Sequence, residues 1–137
     1  MKKFALICLF GAHVSAADIS ARFINAISTV ESSNRKGPIY GDFDKKANKY
    51  RAIGNFQIHY SCWKDAVEFD KSIKGNYADC QDYNYSVKIF KAYLKRYYKF
   101  HKGNEEKMAK IWNGGLGGLK NPKTSIYWTK VKKIVQN

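Results

Sequence analysis

Proline is scarce in this chain, with two in 137 residues. There is no repeat, no low-complexity tract and no Pro- or Ser-rich stretch to serve as a linker. At this length the chain fits one compact domain and not two. Cysteine is scarce as well, at three. Cys62 and Cys80 stand in no Cys-x-x-Cys pair and in no Cys/His cluster, which argues against a zinc site. Acids are outnumbered, 11 against 25 Lys and Arg, for a formal charge of +14. Such a surface attracts polyanions: nucleic acid, acidic membranes or anionic wall polymers. No motif of nucleic-acid recognition accompanies the charge. Long apolar runs are missing too, and no segment reads as an ordinary membrane-spanning helix.

What is present begins with "MKKFALICLFGAHVSAAD". Lys2 and Lys3 supply a charged start, Phe4 to Val14 a short apolar stretch, and Val14-Ser15-Ala16 or Ser15-Ala16-Ala17 a small-residue cleavage site. The pattern predicts a signal peptide over residues 1–17 and a mature domain over 18–137. The product is then secreted or periplasmic, and Cys8 leaves with the signal. Cys62 and Cys80 remain as an even pair in an oxidising compartment. Bridged, they would close a short loop worth about 3 kcal/mol in the chain-entropy model; two free buried thiols are the other reading.

Hydrophobic residues make up 45% of the chain, enough for a core. Five stretches carry helical periodicity. "DISARFINAISTVES" lines up Ile19, Phe23, Ile27 and Val30, with Asp18 or Ser20 as cap. "YSCWKDAVEF" turns Trp63, Ala66 and Val67 inward. "YSVKIFKAYLKRYYKFH" reads as one helix with Val87, Phe90, Leu94, Tyr97 and His101 on a face. "NEEKMAKIW" opens with two Glu, which suits the helix dipole. "TSIYWTKVKKIV" closes the chain, capped by Thr124 or Ser125. Residues 37–58 are polar and hold Gly and Pro, with a strand-like run near Tyr50 to Ile58. The class is therefore α+β, mainly α: a helical lobe with a small β or loop lobe beside the first helix.

Glu31 falls four residues after Ile27 and eight after Phe23, at the edge of the apolar stripe and at the helix C-terminus. Partial burial and the helix dipole both disfavour its ionised form, so its pKa should rise. A carboxylic acid that keeps its proton near neutral pH can protonate a glycosidic oxygen. Glycoside cleavage commonly uses a second, charged carboxylate. Asp42 and Asp44 both stand in the polar stretch that follows, and the residues alone favour neither. "IWNGGLGG" ends a helix on several glycines. Its Asn113, beside Trp112, suits a sugar, while the glycines read either as ligand-approaching backbone or as a plain helix stop.

Together "TVESSN", "GD", "AIGNFQIHYSCWKDA", "YSVKIFKAYLKRY", "AKIWNGGLGG" and "YWTKVKK" resemble, in order, the destabilase-like, invertebrate-type lysozymes and their bacterial and phage relatives. The likeness spans about residues 21 to 133. Some pieces also resemble the lytic transglycosylases of the same superfamily. The resemblance implies a lysozyme-like fold and cleavage of the β-1,4 bond between N-acetylmuramic acid and N-acetylglucosamine in peptidoglycan. It implies Glu31 as general acid and Asp42 as second carboxylate. Gln57, Asn113, Gly114, Tyr127 and Trp128 fall in motifs that line the sugar cleft in such proteins, with His59 as a further candidate and Trp63 read as core. No cofactor or metal is expected, the partner is the glycan strand rather than nucleic acid, contact with an anionic wall or membrane surface fits the charge, and the chain is taken as a monomer. The alternatives are a lytic transglycosylase working through Glu31 alone and a non-catalytic cationic wall-binding protein. The chain departs from the family in its few cysteines, in Trp-Asn-Gly-Gly-Leu where His-Asn-Gly-Gly-Pro is usual, and in an extended loop "FDKKANKYRAI".

Overall fold

The first helix, α1, runs from Ala21 to Ser32. Ser20 caps it by accepting from the Phe23 N–H, and Ser33 ends it in the left-handed region with its N–H on the Thr29 carbonyl. Phe23 and Ile27 of the apolar stripe are fully buried. The computed structural model describes residues 18–137, so the signal peptide expected over 1–17 lies outside the described residues.

The chain then forms a three-stranded antiparallel sheet of order β1-β2-β3, with β1 at Tyr40–Asp44, β2 at Lys49–Ile53 and β3 at Ile58–His59. Tyr40 faces Ile53, Gly41 faces Ala52, Phe43 faces Tyr50, and Ala52 faces His59 in turn. The β1–β2 turn is held by Asp44, whose carboxylate accepts from the Lys46 and Ala47 N–H groups at 2.9 and 3.1 Å. The expected run from Tyr50 to Ile58 is not continuous. It breaks at Gly54, whose φ of +74° and close approach to the Cys80 carbonyl, where a Cβ would stand 1.9 Å away, leave room only for glycine.

Four further α-helices were expected and five are found. The second, α2, spans Tyr60–Phe69. The long stretch expected as one helix is two: α3 over Tyr83–Arg96, capped by Asp82, and a short α4 over Tyr98–His101. At the break, Tyr97 and His101 are held by side-chain bonds. Tyr97 donates its hydroxyl to Asp65 on α2. The buried His101 ring accepts from the Gly103 N–H through Nδ1, which leaves Nε2 to donate to the Leu94 carbonyl at 2.8 Å. Helix α5 runs over Glu105–Gly114 behind an Asn104 cap. The last helix, α6, spans Pro122–Val135 and is capped by Asn121, about one turn earlier than a Thr124 or Ser125 cap would give. Thr124 is buried instead, its hydroxyl between the Gly118 and Asn121 carbonyls.

Helix α1 packs on α6, α6 on α5, and α2 on α3. Phe23, Phe56, Phe90, Ile89, Leu94 and Ile111 fill the space between them. Trp63 belongs to this packing, as expected, and donates its indole N–H to Tyr85. Cys62 and Cys80 are free thiols, so the bridge that would have closed the loop between them is not formed. Among the described residues no helix is long and apolar enough to cross a membrane.

Candidate active site

A cleft of about 260 Å³ opens between the helices and the sheet. Glu31 enters it from the end of α1, Asp42, Ala52, Ile58 and His59 from the sheet, Gln57 from the β2–β3 turn, Cys62 from α2, and Trp112 and Asn113 from α5.

Glu31 is largely buried, and the loss of water lifts its pKa from 4.5 to about 7. Two hydrogen-bond donors pull the other way: first the Tyr127 hydroxyl, which donates to Oε1 at 2.7 Å, and then the Trp112 indole. Burial wins, so the carboxyl stays substantially protonated near neutral pH. Tyr127 is itself buried, and both desolvation and the neighbouring carboxylate hold its phenol protonated as a donor. Trp112 is locked in place edge-on to Phe90, with ring centroids 4.7 Å apart.

Asp42 sits in a different environment. It is exposed, Arg51 approaches it at 3.2 Å and His59 at 3.4 Å. Its φ of +51° puts a non-glycine residue in the left-handed region, a conformation Asp tolerates better than most. Gln57, also in the cleft, has φ +50°. Its side chain donates to the Gly54 carbonyl at 2.9 Å and lies over Gly41, where a Cβ would fall 1.8 Å from Oε1. Gly41 is therefore the gap through which Gln57 reaches its place. Asp44, the other candidate, does not line the cleft. It caps the hairpin turn, and the Ala47 N–H above all keeps its carboxyl below the usual range.

The cleft thus gathers Glu31, Asp42, Gln57, His59 and Asn113 of the expected set. Tyr127 lies behind Glu31 as its hydrogen-bond donor rather than on the cleft wall. Trp128 and Gly114 do not line the cleft: Trp128 packs against the core, and Gly114 gives α5 room beside the Thr124 methyl, 3.0 Å from where a Cβ would stand. The glycines of "IWNGGLGG" act as a helix stop, with the Gly115 N–H on the Ile111 carbonyl and the Gly118 N–H on the Gly115 carbonyl. Trp112 was legible only as the neighbour of Asn113, and Cys62 carried no signal for the site. Burial raises the Cys62 thiol pKa strongly, so it is an inert wall atom rather than a nucleophile.

A larger cavity, about 1070 Å³, lies against α3 and shares no residue with the cleft. Its carboxyls are Asp18 and Asp70, and the Ser72 hydroxyl and N–H hold Asp70 below its ordinary range. Among the described residues no group of His, Cys, Asp and Glu could hold a metal ion.

A buried acid of raised pKa and a solvated carboxylate in one cleft are the two groups that glycoside cleavage asks for. Comparison with known proteins agrees. No family model matches the chain. It is 35% identical over 117 residues to a lysozyme of Magallana gigas, covering 84% of this chain and 80% of that protein. It is 36% identical over 83 residues to a lysozyme of Ostrea edulis, covering 59% and 58%. Its fold matches the crystal structure of Tapes japonica lysozyme with a TM-score of 0.65 at 28% identity, over 84% of this chain and 89% of that one. It matches Meretrix lusoria lysozyme, crystallised in complex with Aeromonas hydrophila PliI, with a TM-score of 0.66 at 25% identity, over 85% and 90%. The chain belongs to the lysozymes, of the invertebrate, destabilase-like type.

Proposed function

We propose that the chain is a muramidase that hydrolyses the β-1,4 bond between N-acetylmuramic acid and N-acetylglucosamine, with Glu31 as general acid and Asp42 as the second carboxylate. The observation that carries this reading is the contrast between the two carboxyls in one cleft: Glu31 desolvated, with a pKa of about 7, and Asp42 exposed. Glu31 gives its proton to the leaving glycosidic oxygen. Asp42 stabilises the positive charge that grows on the sugar, or traps it as a glycosyl ester. The ionised Glu31 then takes a proton from the incoming water. Gln57, His59 and Asn113 hold the sugar rings by hydrogen bonds along the cleft.

The Arg51 ion pair on Asp42 favours a second reading. Arg51, 3.2 Å away, offsets part of its charge, which suits a lytic transglycosylase that relies on Glu31 and closes an anhydro ring without water. The chain is read as exported once residues 1–17 are removed, acting as a monomer, with its cationic surface keeping it on anionic wall polymer. Release of reducing ends from purified peptidoglycan by wild type and by Glu31→Gln tests the reading. Release by wild type alone supports it, and equal release by both removes Glu31 from the chemistry.

A further inference from the structure

Three aromatic rings crowd the β1–β2 hairpin in solvent: Tyr40, Phe43 and Tyr50, exposed at 56%, 47% and 53%. The Tyr50 ring centroid lies 5.0 Å from that of Phe43 and 5.7 Å from that of Tyr40. One cross-strand aromatic pair is ordinary support for a hairpin. Three rings left half in water make a contiguous apolar patch, which marks a contact surface.

The strand register says where that patch leads. Gly41, Ala52 and His59 form one row across the sheet. Ala52 and His59 line the cleft. Tyr50 is two residues from Ala52 on the same strand, so it stands on the same face. Phe43, paired with Tyr50, stands beside it. Two residues advance about 6.6 Å along a strand, a distance on the order of one sugar ring. By this register Tyr50 and Phe43 stand beyond Ala52 on its side of the sheet, toward the hairpin tip, while Tyr40, opposite Ile53, reaches them through its ring contact with Tyr50.

A pyranose carries C–H bonds on its flat faces and hydroxyls on its rim. A flat aromatic surface takes the C–H face while the hydroxyls stay in water. We infer that Phe43 and Tyr50, with Tyr40 against them, form a distal subsite that stacks on the sugars of a glycan strand beyond the bond being cut. The inference rests on the glycan-cleaving reading of the cleft. A glycan is the occupant the position favours, because Tyr50 follows the cleft-lining Ala52 on the same face of its strand. A membrane surface is the competing occupant, and the test includes it.

The test is sedimentation with purified, insoluble peptidoglycan in a Glu31→Gln background, which binds without digesting. Phe43→Leu/Tyr50→Leu keeps the patch apolar but removes the flat rings, and is expected to weaken binding roughly tenfold for two lost stacking contacts. Tyr50→Phe keeps the ring and is expected to bind like its parent. In the active enzyme the double Leu variant should raise KM by a factor that grows with glycan chain length. Melting midpoints close to wild type confirm that the hairpin still forms. Unchanged binding by the double Leu variant, equal loss for Tyr50→Phe, or a KM effect independent of chain length overturns the subsite alone. Loss of binding to phosphatidylglycerol vesicles with peptidoglycan binding intact assigns the rings to a membrane and overturns it too. A Glu31→Gln parent that binds no peptidoglycan overturns the cleavage reading and the subsite with it.

Discussion

Tyr127, near the middle of the last helix, donates its hydroxyl to Glu31 at the end of the first, at 2.7 Å. The bond joins residues 96 apart in sequence. It fixes the carboxyl's direction while burial fixes its protonation. The two effects oppose each other on the pKa, and each can be removed separately.

Removing the donor moves the pH profile in a defined direction. The Tyr127 bond lowers the Glu31 pKa, so Tyr127→Phe raises it. The acid form then persists to higher pH, and the descending limb of kcat/KM, expected near pH 7 in wild type, shifts to the alkaline side. A loss of a few-fold in kcat is expected as well, from poorer orientation of the acid. A pH series on soluble glycan checks both.

Burial of Glu31 also costs stability once the group ionises. The folded pKa, about 7, lies above the ordinary 4.5. Between those values the folded state holds the proton that the unfolded chain releases, so stability falls as pH rises through that window, by about 3 kcal/mol in all. Glu31→Gln keeps an oxygen to accept from Tyr127 but cannot ionise. Its melting midpoint should match wild type near pH 4 and exceed it at pH 8. Equal midpoints at both pH values contradict the raised pKa.

Asp42 and Asp44 separate cleanly in the structure and should separate in the assay. Asp42→Asn removes the charge beside the scissile bond and should lower kcat about 10²-fold or more. Asp44→Ala frees two turn N–H groups and should lower the melting midpoint while leaving catalysis close to wild type. Kinetics and melting curves on the two variants suffice.

Much of this was legible in the residues themselves. Helical periodicity placed α1, α2 and α5, and the position of Glu31 on the α1 stripe predicted a raised pKa before any partner was known. What escaped depends on contacts between distant segments. Nothing in the residue types of "KRYYKFH" breaks a helix; at the break Tyr97 is bonded to Asp65 on α2, 32 residues away. Asp42 and Asp44 are alike in one polar stretch, and only the left-handed turn at Asp42 and the capped turn at Asp44 tell them apart. Resemblance groups Gly114 and Trp128 with the cleft; in the structure neither lines it, Trp128 packing partly against the core and Gly114 lying beside the Thr124 methyl.

Gly41 has a prediction of its own. A methyl group there meets the Gln57 amide at 1.8 Å, and the flexible amide is what must move. Gly41→Ala should fold, displace Gln57 from the cleft and lower kcat/KM by roughly 10- to 100-fold. Gln57→Ala should lose a similar amount, and adding Gly41→Ala to it should cost little more. A double-mutant cycle reads this directly.

The central claim, a protonated Glu31 working with a charged Asp42 to hydrolyse a glycan, is tested most directly by the mass of the products. Soluble fragments from purified peptidoglycan are compared by mass spectrometry for wild type, Glu31→Gln and Asp42→Asn. Hydrolysis predicts reducing-end muropeptides, each one water heavier than the anhydro form, from wild type, with almost none from either variant. Anhydro-muropeptides from wild type, made equally well by Asp42→Asn, would contradict the two-carboxylate account and leave Glu31 as the sole acid and base.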